Sequence, residues 1–435
     1  YKLIEAGHRC VYTPYAVLYH IGNHSWGAKS VKYKADIYML KRWGAYVSKD
    51  PNFTDSMKKV LYRDFRFDYR IFASHVDANA TYTGPDVLFL SHELSLTGAP
   101  RMLLCAAVAV LRSGGFPVVV APEDGPMRKE LEQAGVVVIV DQSLAERHPL
   151  FERFARNFDV VVVNTTALRN VVRQLELIED LDVVWWLHEG RTLEATLEAE
   201  TGIDRTRVRL LCVSEYARSY LPPGFRADVL YNGIPDRSGD IQQKPLADRC
   251  TFVLAGTLEK RKGQDLFVDA ILRLPEDVRV SCRFLMTGTL GEPNLQFWSS
   301  VCERMEAAPE IEYLGLLDHR ELLELVAGAD AVVCCSRDEA FSLMVVEGAM
   351  LAKPSIINPN VGVAEVLAHD KSCLLFEAAD AASLAEQLLA VFQDRARMRD
   401  IGLQARKVYE EKFTVDRFSE EFLRLMRQEG RAKHV

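Results

Sequence analysis

The sequence predicts an α/β protein with two doubly wound, Rossmann-like domains that face each other across a cleft. Short apolar runs rich in β-branched residues recur along the chain, and helical stretches lie between them. Continuous apolar strands that alternate with helices are typical of parallel sheets covered on both faces. The pattern occurs twice, on either side of a polar stretch at 235–249 that reads as a linker. A chain of 435 residues is also long enough for more than one domain.

The first half of the chain contains six predicted strands and a well-defined first helix. The helix is expected at 100–113, because Pro100 suits a first turn and Gly114 and Gly115 suit a helix end. The strands are predicted at 86–90, 117–121, 136–140, 159–163, 183–187 and 208–213.

The second half repeats the alternation and ends in an amphipathic helix. A helix is predicted from Ser342, a suitable N-cap, to Leu351. Apolar residues at helical spacing, among them Phe418 and Phe422, predict a last helix within 413–427. The strands are predicted at 251–255, 283–286, 311–313, 331–335 and 355–357.

Composition and charge exclude several classes of protein. A net charge of −8 argues against a broad nucleic-acid surface. One stretch of interleaved Arg and aromatic residues, within 55–85, is of a kind that can bind single strands, but a connector helix or packed linker is the simpler interpretation. The nine cysteines include no C-x2-C pair, which argues against zinc and indicates a reducing compartment. The sequence has no apolar run of membrane-spanning length. We expect no signal peptide.

Two glutamates eight positions apart form the most informative motif. Glu339 follows the predicted strand 331–335, and Glu347 lies inside the helix that begins at Ser342. A helix N-terminus favours an anion such as phosphate, so a ligand there would meet both carboxylates. The simpler alternative is an ordinary strand-loop-helix unit with two solvated glutamates.

This segment resembles the E-x7-E signature of the family 4 retaining glycosyltransferases, which have the GT-B fold. Four other stretches resemble motifs of that family and follow its order: 94–100, 186–189, 232–235 and 256–263. The resemblance covers about 86–428. It implies an N-terminal acceptor domain at 81–236, a C-terminal donor domain at 237–412, and a helix at 413–435 that returns to the N-terminal domain.

The resemblance also implies roles for the N-terminal motifs. The loop at Gly98 would hold the donor phosphate or the acceptor, although a simple helix entry turn is the alternative. His188, at a strand end, would contact the transferred sugar, and Glu189 would orient it. A satisfied core histidine is the alternative for His188.

The remaining implied roles concern the nucleotide-sugar donor. Lys262 would pair with the donor diphosphate, Glu339 would contact the donor sugar, and Glu347 would bind the ribose hydroxyls. At the position of Thr257 the family has an Arg, so Thr257 departs from the family pattern. Arg261 is the nearest replacement for that Arg, and Lys260 is a weaker candidate. The alternative for residues 260–262 is a solvated turn that binds no phosphate. The backbone of Phe341, Ser342 and Leu343 would bind the diphosphate, and Gly288 and Thr289 would line the base pocket.

The first 80 residues form an N-terminal extension with a second resemblance. The segment 7–27, with His20 and His24, is similar to the end of a family 2 glycosyltransferase domain of GT-A fold. This similarity predicts an upstream glycosyltransferase module in the same full-length protein. An extension that merely packs on the main body is the alternative, and no activity is expected from the two histidines here.

The resulting hypothesis is a retaining, metal-independent glycosyltransferase. It would move a sugar from a nucleotide diphosphate sugar to a glycan or lipid-linked glycan acceptor, in surface polysaccharide synthesis such as lipopolysaccharide or capsule. We expect no metal, since Lys262 and a helix terminus already neutralise the diphosphate. We also expect no cofactor and no nucleic-acid partner. The D-x-D string at 180–182 precedes its strand and is expected to be a surface turn. We expect a cytoplasmic location, with peripheral attachment to the inner face of the membrane as an option.

Three alternatives remain open from the sequence. The chain could be a catalytically silent GT-B scaffold of a glycan-synthesis complex, for which Thr257 is the only support. It could be a GT-B-like nucleotide-sugar epimerase. Glycoside hydrolysis, which also uses two carboxylates, fits less well because both carboxylates come from one loop-helix unit.

Overall fold

The computed structural model describes residues 2–8, 34–48, 69–145, 149–200, 203, 207–241 and 248–427. The family 2-like histidines, His20 and His24, lie outside the described residues. Contacts between residues divide the chain into two units. Unit 1 is Tyr1–Val163 with Ala167–Val184, and unit 2 is Asn164–Thr166 with Trp185–Val435.

Unit 1 is a sheet with helices between its strands, and β5 and β6 continue from it into unit 2. The strands follow the order β1-β4-β3-β2-β5-β6. The elements are α1 (Lys2–Glu5), α2 (Ala35–Val47), β1 (Tyr69–Phe72), β2 (Asp86–Leu90), α3 (Gly98–Arg112), β3 (Phe116–Ala121), α4 (Met127–Gln133), β4 (Val137–Asp141), α5 (Pro149–Ala155), β5 (Val160–Asn164), α6 (Arg169–Leu175) and β6 (Asp182–Leu187).

The interior strands of unit 1 are parallel, as predicted, but its edge strand is not. β2 pairs in parallel with β3 and β5, and β3 pairs in parallel with β4. β1, in a stretch expected to be connector or linker, instead pairs antiparallel with β4. Its four residues alternate aromatic, charged and apolar side chains and remain partly exposed. Such a short, half-solvated edge strand has no continuous apolar run, so the expectation of a purely parallel sheet was wrong there.

Unit 2 contains the end of β6 and the whole second half of the chain. β6, β7 and β8 are neighbours in that order, and a second sheet has the order β11-β10-β9-β12-β13-β14. The elements are α7 (Thr192–Ala199), β7 (Val208–Cys212), α8 (Glu215–Arg218), β8 (Ala227–Val229), β9 (Cys250–Ala255), α9 (Gln264–Ile271), α10 (Glu276–Val280), β10 (Cys282–Thr287), α11 (Leu295–Met305), β11 (Ile311–Tyr313), α12 (His319–Ala327), β12 (Ala331–Cys334), α13 (Leu343–Met350), β13 (Ser355–Ile357), β14 (Leu374–Leu375), α14 (Ala381–Gln393), α15 (Arg395–Val408) and α16 (Val415–Arg427).

The second sheet is parallel and lies in a dense apolar core. β9 pairs in parallel with β10 on one side and with β12 on the other. Phe252 and Phe284, on β9 and β10, stack with ring centroids 5.3 Å apart. The strand order reverses at β9, and ligands bind at the carboxyl ends of strands beside such a reversal. The loops that begin at Gly256, Gly288 and Cys335 all start there.

The last helix is present as predicted and is anchored by aromatic packing. Phe418 and Phe422 of α16 are buried and pack against Trp186 of β6 with centroid distances of 5.9 and 6.0 Å. Arg209 of β7 also donates to the Leu425 carbonyl at 2.9 Å. The domain boundaries at 80, 236 and 412 stay a prediction. Within the part of the chain that the structure describes, no helix is both long and apolar enough to cross a membrane.

Candidate functional site

The loop after β9 brings a basic turn to the carboxyl end of the second sheet. Lys260–Lys262 forms a single 3-10 turn, and Gly263 follows with a φ of 77°. A Cβ at Gly263 would lie 2.3 Å from the Cys335 carbonyl oxygen, so only glycine fits there. α9 begins directly afterwards. The turn therefore presents Arg261 and Lys262 at a fixed position beside the loop after β12.

Glu339 lies between these two cations. Lys262 Nζ donates a hydrogen bond to Glu339 Oε2, and Arg261 Nη1 lies 3.5 Å from the same oxygen. The Glu339 side chain is only 15% exposed. Burial by itself would raise the pKa of its carboxyl group, but the charges of Lys262 and Arg261 hold that pKa below its usual value. Glu339 is thus a buried, ionised carboxylate, and the expectation of a solvated glutamate is wrong.

The entry to α13 differs from the predicted cap. Ser342 occupies the N-cap position, but its φ is 86° and its hydroxyl does not cap the helix. The hydroxyl instead lies 3.6 Å from the Cys334 sulfur, because the unusual backbone turns it toward the core. A helix start without a side-chain cap leaves its N–H groups to other acceptors, such as an anion.

Glu347 lies on α13 and has a partner that sequence reasoning missed. Its Oε1 lies 2.7 Å from His319 Nε2, and both side chains are mostly buried. His319 is the first residue of α12, where Asp318 and Glu321 form a capping box. The D-x-x-E pattern predicts this helix start, but nothing in the sequence joins its first residue to Glu347.

The loops after β9 and β10 pack tightly against each other. Gly288 has a φ of 151°, and a Cβ there would lie 1.9 Å from the Gly256 carbonyl oxygen. The Thr289 carbonyl accepts the Leu258 N–H at 2.8 Å. The Thr257 carbonyl accepts a hydrogen bond from the side chain of Gln264. The main chains of the loops after β9 and β10 are therefore in direct contact, and Thr257 is held through its main-chain carbonyl.

His188 follows β6 directly, as predicted, and packs at a tilt against an aromatic ring. Its imidazole lies 4.7 Å from the Trp186 ring, centroid to centroid. Glu189 accepts the His188 N–H at 2.9 Å and both the N–H and the hydroxyl of Thr166 at 2.8 and 2.9 Å. Burial raises the pKa of the Glu189 carboxyl group. The hydrogen bond between His188 and Glu189 involves the main-chain N–H of His188, not its imidazole ring. In these contacts Glu189 therefore fixes the main chain at His188 rather than the imidazole.

Gly98 belongs to unit 1 and opens α3, two residues earlier than predicted. Glu93 accepts hydrogen bonds from the hydroxyls of Ser95 and Thr97 at 2.6 and 3.0 Å, which fixes the loop before the helix. Thr97 itself does not cap α3. Gly98 is thus the first residue of α3, and its contact with the donor phosphate or the acceptor stays a prediction.

The D-x-D string lies in a turn, as expected. Asp180 has a φ of 61°, and Asp182 is the first residue of β6. In the described ranges, no group of three or more His, Cys, Asp or Glu side chains could hold a metal ion. Cys334 and Cys335 are buried in the core, as predicted.

Comparison with known proteins gives family matches for both halves of the chain. Residues 83–217 match the family model described as glycosyl-transferase family 4, and residues 237–408 match that of glycosyl transferases group 1. HepE of Anabaena, solved in complex with UDP and glucose, superposes with a TM-score of 0.69 over 79% of this chain and 100% of its own, at 19% identity. The chain has the GT-B glycosyltransferase fold.

Other similar proteins agree with this GT-B glycosyltransferase fold. WaaG, a glycosyltransferase involved in lipopolysaccharide biosynthesis, has a TM-score of 0.56 at 15% identity, covering 79% of this chain and 100% of its own. An uncharacterized glycosyltransferase of Methanocaldococcus jannaschii is 25% identical over 208 residues, which are 47% of this chain and 55% of that protein. The chain thus spans about half the length of this curated relative.

The predicted donor-side residues of this GT-B glycosyltransferase fold meet at one edge of the second sheet. Lys262, Arg261 and Glu339 form one cluster through direct contacts. Gly256, at the end of β9, packs against the Lys262 side chain and the backbone of Gly288. Sequence reasoning missed His319, which contacts Glu347, and Asp338, which accepts a hydrogen bond from Tyr216. No sequence motif marks these contacts, because they join residues that only the folded backbone brings together.

Proposed function

We propose that this chain transfers a sugar from a nucleotide diphosphate sugar to a hydroxyl of a glycan or lipid-linked glycan acceptor, with retention of the anomeric configuration and without a metal ion. The cluster of Lys262, Arg261 and Glu339 at the carboxyl end of β9 and β12 carries this proposal. It combines two fixed cations and a buried carboxylate.

The cluster suits a diphosphate leaving group. As the bond to the sugar breaks, the nucleoside diphosphate gains negative charge, and fixed cations stabilise that charge electrostatically. Lys262 and Arg261 supply the cations. The family has an Arg at the position of Thr257, and Arg261 is the nearest replacement for it. The helix start at Ser342, which has no side-chain cap, supplies N–H donors and a partial positive charge.

The two glutamates would bind the rest of the donor. A diphosphate carries more negative charge than one carboxylate, so it competes with Glu339 for Lys262 and Arg261. Glu339 would then be free to accept a hydrogen bond from a sugar hydroxyl. Glu347, held by His319, would accept hydrogen bonds from the ribose diol. That HepE was crystallised with UDP and glucose supports a nucleotide-sugar donor.

The acceptor class follows from the two-module analogy. A surface polysaccharide, made at the inner face of the membrane with an upstream glycosyltransferase module, fits that analogy. Thr257 favours the alternative of a catalytically silent scaffold, because it removes one cation of the family's phosphate clamp.

The test is a thermal-shift panel of nucleotide sugars and free nucleotides, followed by product analysis. A ligand at 100 times its dissociation constant stabilises the protein by about 2.7 kcal/mol, which such a panel detects. Lys262→Met should abolish the shift. Lys129→Met, at an exposed lysine of α4, is the control and should keep it.

Product analysis separates the three functions. Transfer to an acceptor with the donor's anomeric configuration, seen by NMR, supports the proposed transferase. Altered sugar configuration without an acceptor indicates the epimerase. Donor binding without any product indicates the scaffold, and the absence of binding by every nucleotide would contradict the proposal.

A further inference from the structure

Asp338, directly before Glu339, contacts a part of the chain more than 120 residues earlier. Tyr216 Oη donates a hydrogen bond to Asp338 Oδ1 at 2.9 Å, across a separation of 122 residues. The Arg191 N–H points at both carboxylate oxygens, each 3.3 Å from the nitrogen. We call Asp338, Tyr216 and Arg191 the Asp338 anchor. All three residues belong to unit 2.

The anchor leaves no space between Asp338 and the chain that follows His188. A Cβ at Gly190 would lie 2.2 Å from Asp338 Oδ1 and 2.9 Å from its carboxyl carbon. The carboxylate of Asp338 therefore lies directly against the Gly190 backbone. Any side chain at Gly190 would push Asp338 away from its two donors.

The Tyr216 hydroxyl stays protonated and can donate its hydrogen bond to Asp338. Burial raises the pKa of its phenol, so the hydroxyl stays protonated at neutral pH. The phenol of Tyr220 lies 3.4 Å from that of Tyr216 and accepts from Arg191 Nε at 3.1 Å. This arrangement fixes the ring that carries the donor.

The residue on the other side of Glu339 is held by the same segment. Ser214 Oγ donates to the Ala340 carbonyl at 2.6 Å. The Glu365 carboxylate accepts the N–H groups of Glu215 and Tyr216, both at 2.9 Å. Asp338 and Ala340 are thus both fixed by residues 214–216, and Glu339 lies between them.

We propose that Asp338 is a positioning residue for the proposed transfer reaction: it fixes the loop of Glu339 against the chain that follows His188. That sugar transfer depends on the Asp338 anchor rests on the proposed function; the contacts of the anchor do not. A hydrogen bond to a charged acceptor is stronger than one between neutral groups, so losing one allows the loop to leave its position. Arg261 donates to the main-chain carbonyl of Asp338, which side-chain variants keep, and Lys262 and Glu347 lie outside the anchor, so donor affinity should change little.

A double-mutant cycle tests the coupling between the two side chains. Asp338→Asn and Tyr216→Phe should each lower kcat roughly tenfold, with the donor KM changed less than about twofold. The double variant should be no worse than the more damaging single variant, because both changes remove one interaction. Asp269→Asn, which breaks the exposed pair with Arg304, is the matched control and should leave kcat unchanged. Additive losses would overturn the proposal.

A steric rescue tests the close approach at Gly190. Gly190→Ala alone should lower kcat to about the level of Asp338→Asn, since both weaken the hydrogen bonds that the Asp338 side chain accepts. In an Asp338→Ala background, the same Gly190→Ala change should have no further effect, because the clash is with the carboxyl group that is gone. A second, equal loss in that background would show that Gly190 acts through something other than Asp338.

Hydrogen exchange separates this inference from the proposed function. In Asp338→Asn, amides of the peptide 336–342 should exchange at least about tenfold faster, while those of β9 and β10 stay protected. This readout needs no activity, so it holds even if no transfer is found. Unchanged exchange in 336–342 would overturn the anchor, whereas a wild-type protein that neither binds nor transfers would contradict only the proposed function.

Discussion

Replacing Phe418 with alanine should destabilise unit 2 strongly and disturb the site at His188. Phe418 is 2% exposed and packs against both Trp186, 5.9 Å away, and Phe422, 6.0 Å away, measured between ring centroids. Trp186 in turn packs against His188 at 4.7 Å. One side chain of α16 therefore supports the ring against which the proposed sugar-contacting histidine packs.

The expected loss is about 3–5 kcal/mol, the usual range for Phe→Ala in a core. The upper part of that range is expected, because two aromatic contacts, each worth about 0.5–1.5 kcal/mol beyond their area, disappear together. Since a folded protein is stable by only about 5–15 kcal/mol, this is a large fraction of the total.

Urea unfolding, followed by tryptophan fluorescence, measures this loss. Trp185 and Trp186 are buried in β6 and report on the region directly. A loss of that size should lower the midpoint of the transition by about 1–2 M urea. Glu420→Ala, on the exposed face of the same helix, is the matched control and should change stability by less than about 0.5 kcal/mol. If Phe418→Ala costs less than about 1 kcal/mol, α16 does not support β6 and the reasoning is wrong.

Three further predictions concern the site. Glu339→Gln should abolish transfer while the melting temperature stays near that of the wild type, and near-normal turnover would remove Glu339 from the mechanism. Glu347→Ala should weaken donor binding by about 1–3 kcal/mol, measured by calorimetry. The same substitution should cost a 2′-deoxy donor far less binding free energy. An equal loss for both donors would show that Glu347 does not bind the ribose. Transfer should survive EDTA, because Lys262 and the start of α13 neutralise the diphosphate; loss of activity that manganese or magnesium restores would contradict this.

The interior of both sheets was predictable because its signal is local. The observed β2, β11 and β13 have the predicted bounds, β9 and β12 differ from the prediction by one residue at one end, and β10 differs by one residue at each end. A strand buried on both faces must be apolar throughout, and the sequence carries that requirement without reference to any partner. The strands β1, β8 and β14 were not predicted.

The candidate site was only partly predictable. Strand ends placed Lys262, Glu339 and His188 correctly on loops, since parallel strands expose their carboxyl ends at one edge. The pairing of Glu339 with both Lys262 and Arg261 was not predicted, because it joins residues 77 and 78 positions apart. The contact between His319 and Glu347 was missed for the same reason.

The sequence by itself determined where strands and helices occur, which loops follow the strand ends, and which residue types those loops offer. Those properties depend on hydrophobic periodicity and on turn residues, which act over a few positions. Only the tertiary structure decided which side chains meet: the antiparallel edge strand β1, the buried ion pairs of Glu339, and the anchor of Asp338 on Tyr216. A side chain's partner depends on the path of the whole backbone, because the two residues are brought together by packing rather than by their positions in the sequence.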